Sequence, residues 1–131
     1  MSRIKICGLR RPEDIEAVNA AKPDYCGFIV ECPKSRRSID RETLRELVRG
    51  LQKEIVPVGV FVNAPKELVA ELLEEGTIQM AQLHGQESQE YIRELKKMTE
   101  KPLIQAFSVK TREDVERARK SAADYILLDQ G

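Results

Sequence analysis

Three side chains able to handle protons stand at or just past the ends of short β-branched runs: Cys7 after 4–7, His84 after 78–83 and Asp129 at the close of 125–129. A thiol accepts a proton only as the thiolate, a state that positive charge from Lys5 or Arg37 would favour. A carboxyl group in a partly dry pocket can keep its proton long enough to donate it. Alternation with period two puts Lys5 and Cys7 on one face of their run, Gln82 and His84 on one face of theirs, and Leu127 and Asp129 on one face of the last. If those faces share a mouth, the mouth holds a thiol, an imidazole and a carboxylate. Such a set suits moving protons on a substrate, with no metal and no redox cofactor. Each residue read singly also has a structural role: Cys7 as a small buried hydrophobe, His84 as a satisfied imidazole, Asp129 as a cap. Arg36 and Lys34 read as a solvated basic patch, and Glu71, Glu74 and Glu75 as an exposed helix face.

The elements that must position these groups follow one pattern. Runs at 4–7, 25–30, 55–62, 78–83, 103–107 and 125–129 read as buried parallel strands. Between them lie helical segments, clearest at Leu44, Leu47, Val48 and Leu51 and again at Leu68, Val69, Leu72 and Leu73. Pro12 and Pro65 suit a first helical turn, Gly76 suits the left-handed residue after a helix, and Asp40 and Thr111 suit N-caps, the latter three residues ahead of Asp114. Strict β-α alternation admits either a doubly wound sheet or a barrel of eight β-α units. The turn after the first run reads "CGLRRPED" rather than a glycine-rich phosphate loop, and polar residues collect where the strands end. This favours the barrel, whose chemistry sits at that face.

Composition narrows the function classes. The 131 residues carry 22 Lys and Arg against 22 Asp and Glu, leaving no surplus charge for a nucleic acid. Three cysteines and one histidine are too few for a disulfide framework or a structural zinc site, so Cys26 reads as core and Cys32 as an incidental loop thiol. No apolar run approaches the ~20 residues that span a bilayer. One cytoplasmic domain over 1–131, with no membrane partner, is the expectation.

Five ordered segments, "KICGLR" at 5–10, "PKSRRSI" at 33–39, "GVFVN" at 59–63, "QLHG" at 82–85 and "LLD" at 127–129, resemble the phosphoribosylanthranilate isomerase family of tryptophan biosynthesis. The resemblance implies a (β/α)8 TIM barrel and an Amadori rearrangement of N-(5-phosphoribosyl)anthranilate to 1-(o-carboxyphenylamino)-1-deoxyribulose 5-phosphate. By motif, Cys7 would be the general base at C2′ and Asp129 the general acid at the ring oxygen. Arg37 would meet the anthranilate carboxylate, and Gln82 and His84 would line the pocket. No cofactor is implied.

Length sets the remaining expectation. Six units consume the chain, whereas eight need roughly 200 to 250 residues. The barrel is therefore expected to be incomplete, lacking the last two units, which in the family hold the substrate phosphate. Two outcomes follow: the front three-quarters of an isomerase, or a truncated, inactive fragment. The latter would associate with itself through open barrel edges or pair with a complementary chain.

Overall fold

The computed structural model describes residues 5–32, 35–84 and 87–129, the side chains of 5–7 and 128–129 excepted. The elements run β1 (Lys5–Cys7), α1 (Pro12–Ala21), β2 (Tyr25–Val30), β3 (Ser38–Ile39), α2 (Arg41–Arg49), β4 (Val56–Phe61), α3 (Lys66–Glu74), β5 (Met80–Leu83), α4 (Gln89–Met98), β6 (Leu103–Ser108), α5 (Arg112–Arg119) and β7 (Tyr125–Asp129). Ile4 of the first expected strand, and Pro33, Lys34 and Gly85 of the sequence motifs, lie outside the described residues.

Strand order is β1-β2-β4-β5-β6-β7, all parallel, with β3 attached to β2. Each main strand therefore sits beside the next one in sequence. A doubly wound sheet reverses its order at a switch point, and this one does not. The register adds the decisive detail. The row leaving β1 at Cys7 passes Gly27, Val58 and Met80, and continued across β6 it reaches β7 near Ala123, six positions short of Asp129. A stagger of about one residue per strand is what the tilted wall of an eight-stranded barrel requires. The fold is an arc of (β/α)8-barrel wall, with β1 and β7 as the edges of the sheet among the described residues.

The core lies between the outer face of this arc and the helices. Cys26, Phe28, Val30, Phe61, Ala81, Leu83 and Leu103 share that face and are buried against Leu44, Val69, Leu72, Leu73, Ile92 and Leu95. Gly59 belongs to the same face because a Cβ there would stand 2.8 Å from both Ile78 Cδ1 and Phe61 Cε2. The inner face is less filled, and leaves a hollow of 580 Å³ lined by Tyr25, Val58, Met80, Gln82, Ile104 and Leu127.

Helix boundaries mostly match the punctuation. Pro12 opens α1, the Asp40 carboxylate accepts from the Thr43 N–H at 2.8 Å, and Thr111 and Asp114 form a reciprocal capping box. Gly76 adopts φ +85° just past α3. Pro65 differs from expectation: it caps α3 with extended backbone, and the first helical residue is Lys66. The strand expected from 78 begins at Met80, because the Ile78 N–H turns back to the Leu72 carbonyl at 3.3 Å. Cys32 is a loop residue, as expected, and is buried; its N–H donates to Ser38 Oγ at 2.6 Å under the turn leading to β3. The acidic residues of α3 are not merely solvated. Glu71 and Glu75 pair with Arg41 and Arg45 of α2, and Glu74 accepts from the Thr99 hydroxyl at 3.2 Å.

Candidate active site

The first corner of the mouth forms where β1 ends. Cys7 pairs in register with Gly27, and the next two N–H groups, of Gly8 and Leu9, both reach the Gly27 carbonyl, at 2.9 and 3.4 Å. Ile29 pairs with Val60 of β4 on one side and with Ser38 of β3 on the other, so β3 occupies the β1 side of β2, beyond the end of β1. That short strand brings the 35–37 turn over the mouth. The Arg37 side chain lies directly across Gly8: a Cβ there would stand 2.7 Å from Arg37 Cδ and 3.0 Å from Nη1. Gly8 also has φ +83°, a conformation that L side chains rarely adopt. The glycine thus seats the arginine next to the Cys7 position.

A second corner joins the loops after β4 and β5. Asn63 sits in left-handed backbone at φ 52°, and its N–H donates to Glu87 Oε2 at 2.7 Å. The His84 N–H donates to the Phe61 carbonyl at 2.9 Å, which holds that residue at the end of β5 with its side chain exposed. Glu87 is only 7% exposed, and its main-chain carbonyl accepts from Gln105 Nε2 at 3.3 Å. Gln105 Oε1 in turn accepts from Gln89 Nε2 at 3.0 Å and from Ser121 Oγ at 2.5 Å. A buried polar network of this kind ties the two loops to β6 and to the segment entering β7.

Gln82 is buried, at 6% exposure, on the inner face between these corners. Asp129 closes β7 at the register position of Ser108. Register parity puts positions 7, 82 and 129 on one face of the arc, a coincidence between strands that the period-two reading left open. The Cys7 and Asp129 side chains lie outside the described residues. Arg37 is brought to the Cys7 side and Gln82 lines the hollow, which opens toward the strand starts, while His84 follows the end of β5, exposed and outside that lining. Gly8 as a seat, Glu87 as a loop clamp and the β3 detour were not legible in the sequence. Only the pairing of Gly8 with a later arginine-rich loop could have hinted at the first. Among the described residues no three His, Cys, Asp or Glu side chains gather as a metal site, and no helix is long and apolar enough to cross a membrane.

This arc, with its motif-bearing ends in order, matches one family over nearly its full length. The family described as N-(5'phosphoribosyl)anthranilate (PRA) isomerase matches residues 4–131. The chain belongs to this isomerase family. A curated N-(5'-phosphoribosyl)anthranilate isomerase from Acetivibrio thermocellus is 43% identical over 135 residues, covering 98% of this chain and 61% of the relative. The chain therefore spans about three-fifths of the length of such relatives. Phosphoribosyl anthranilate isomerase from Thermus thermophilus superposes with TM-score 0.81 at 37% identity, over 97% of this chain and 62% of that one. A phosphoribosyl anthranilate isomerase crystallised with reduced 1-(o-carboxyphenylamino)-1-deoxyribulose 5-phosphate superposes equally well, with TM-score 0.81 at 34% identity, over 98% of this chain and 65% of that one. The open arc seen here is thus the wall that the isomerase family builds from β1 onward, with the sheet edge at β7 uncovered among the described residues.

Proposed function

We propose that this chain carries the proton-transfer groups of an N-(5'-phosphoribosyl)anthranilate isomerase acting in tryptophan biosynthesis. Asp129 acts as the acid, protonating the furanose oxygen as the C1′–O bond opens. The Cys7 thiolate acts as the base, taking the proton from C2′, and the resulting enolamine tautomerises to the ribulose-type ketone. Arg37 clamps the anthranilate carboxylate through two parallel hydrogen bonds, a geometry that a lysine ammonium lacks. Gln82 and His84 line the pocket. The two proton-transfer positions end different strands of one curved face, so acid and base approach the sugar from different directions.

The single observation that carries the reading is the register: positions 7, 82 and 129 fall on one inner face, with Arg37 laid across Gly8 beside the first of them. The substrate is a phosphorylated sugar joined to an aromatic acid, in keeping with the ligand of the crystallised relative. A cytoplasmic setting fits the free thiols of Cys26 and Cys32. The test follows loss of the anthranilate-type fluorescence of freshly made phosphoribosylanthranilate, with spontaneous decay subtracted. Cys7→Ala and Asp129→Asn should each lower turnover by at least ~100-fold. Near-parental rates in both would remove these residues from the chemistry.

A second reading, a catalytically silent arc that associates, is favoured by one feature. Tyr125, Ile126 and Leu127 of the edge strand β7 are 57%, 43% and 45% exposed. Absence of turnover, with activity restored by a chain carrying two further β-α units, would support this alternative for the chain alone.

A further inference from the structure

Arg37 can grip a carboxylate well only if the turn carrying it is held in place, because an arginine ordered by the ligand loses affinity to its own side-chain entropy. The structure holds that turn from another loop. Arg10 Nη1 donates to the main-chain oxygen of Arg36 at 3.0 Å, the carbonyl of the peptide unit that ends at Arg37 N. Since the peptide is planar, fixing that oxygen fixes the direction in which Arg37 leaves the turn. Arg10 is itself anchored: its N–H and that of Arg11 both donate to Asp14 Oδ2 at 3.1 Å, at the start of α1. On the other side the Arg37 N–H donates to Ser35 Oγ at 3.2 Å, and its side chain rests on Gly8.

From this juxtaposition we propose that Arg10 is the positioning residue for Arg37, pinning the 35–37 turn to the α1 entry so that the Arg37 guanidinium is set in advance for an aromatic carboxylate. The proposal deepens the reading of Arg37 as the carboxylate clamp and rests on it. A charged donor on a peptide carbonyl is stronger than a neutral one, which suits a tie between two exposed loops. Two guanidinium groups on the same side of the mouth also raise the local potential that draws an anion in.

The test has a readout that needs no ligand. In the isotopically labelled chain, the Arg37 Nε–H resonance, assigned by its loss in Arg37→Met, should be ordered in the parent. It should be motionally averaged in Arg10→Met, which keeps the aliphatic stem, and ordered again in Arg10→Lys, which keeps a charged donor. An Arg37 signal unchanged in Arg10→Met overturns the proposal whatever any ligand does. The second readout is calorimetric binding of reduced 1-(o-carboxyphenylamino)-1-deoxyribulose 5-phosphate and of its anilino counterpart lacking the carboxylate. Arg10→Met should weaken the first about fivefold, the worth of roughly one net hydrogen bond, and leave the second within about twofold. Added to Arg37→Met, it should cost nothing more; additive losses overturn the relay. If neither molecule binds the parent chain, the functional reading falls, and the Nε–H signal alone still decides the role of Arg10.

Discussion

At the scale of the residue, the site depends on a side chain that is absent. Gly8→Ala would put a methyl group where Arg37 Cδ and Nη1 lie, in backbone at φ +83°. The left-handed conformation alone costs roughly 1–2 kcal/mol for an L residue. The expected outcome is a raised Michaelis constant from the displaced arginine together with a lowered melting temperature, measured on one preparation. Arg37→Lys tests the fork without that strain. It should raise the Michaelis constant more than it lowers maximal turnover if the carboxylate is held equally in ground and transition states. Asp14 adds a pH dependence. The N–H group of Arg10, foremost, and that of Arg11 with the nearby arginine charges hold its carboxyl below the ordinary value of 3.8. A lowered value in the fold means that the stabilisation is complete above about pH 4 and is lost as the pH falls through the folded value. Asp14→Asn should therefore flatten the decline of the melting temperature below about pH 4 and leave its pH dependence near neutrality unchanged.

At the scale of the element, most boundaries could be read before any coordinates, because caps and proline act within one helical turn. Asp40, Thr111 and Pro12 behave as their chemistry requires. What could not be read is the two-residue β3, since "SI" at 38–39 has no periodicity of its own and becomes a strand only by pairing with Ile29 and Val30. The tie between α2 and α3 is likewise tertiary. Arg45 meets Glu75 through Nε at 2.8 Å and Glu71 through Nη2 at 3.3 Å. The hydrogen bond from Arg45 is the first cause that holds the Glu75 carboxyl below its ordinary value. These groups face solvent, so their contribution is screened. Arg45→Met should lower the melting temperature in low salt, and the difference from the parent should shrink in molar salt, as read by thermal unfolding at both ionic strengths.

At the scale of the whole molecule, the two faces of the arc have different fates. The outer face is sealed by helices and carries the core, so Leu72→Ala should cost about 2–5 kcal/mol in denaturant unfolding. The inner face surrounds the hollow and runs out to the exposed apolar residues of β7. An unpaired parallel edge with such side chains is a template for another strand. Sedimentation velocity of this chain should show concentration-dependent association, and Ile126→Lys, which sets a charge on the edge, should shift it toward the smaller species. A single concentration-independent species in both would remove the edge as an interface.

The order of helices and strands apart from β3, the cap residues, the choice of a barrel over a wound sheet and the family motifs were legible in the sequence by itself. They rest on periodicity, local capping and short ordered segments, all of which act within a few residues. Tertiary structure alone decided that Arg37 lies on Gly8, that Arg10 holds the carbonyl before it, that Glu87 joins two loops, and that positions 7, 82 and 129 share a face at staggered heights. Each depends on residues 20 or more apart in sequence meeting through the tilt and curl of a parallel sheet, and no local pattern specifies that geometry.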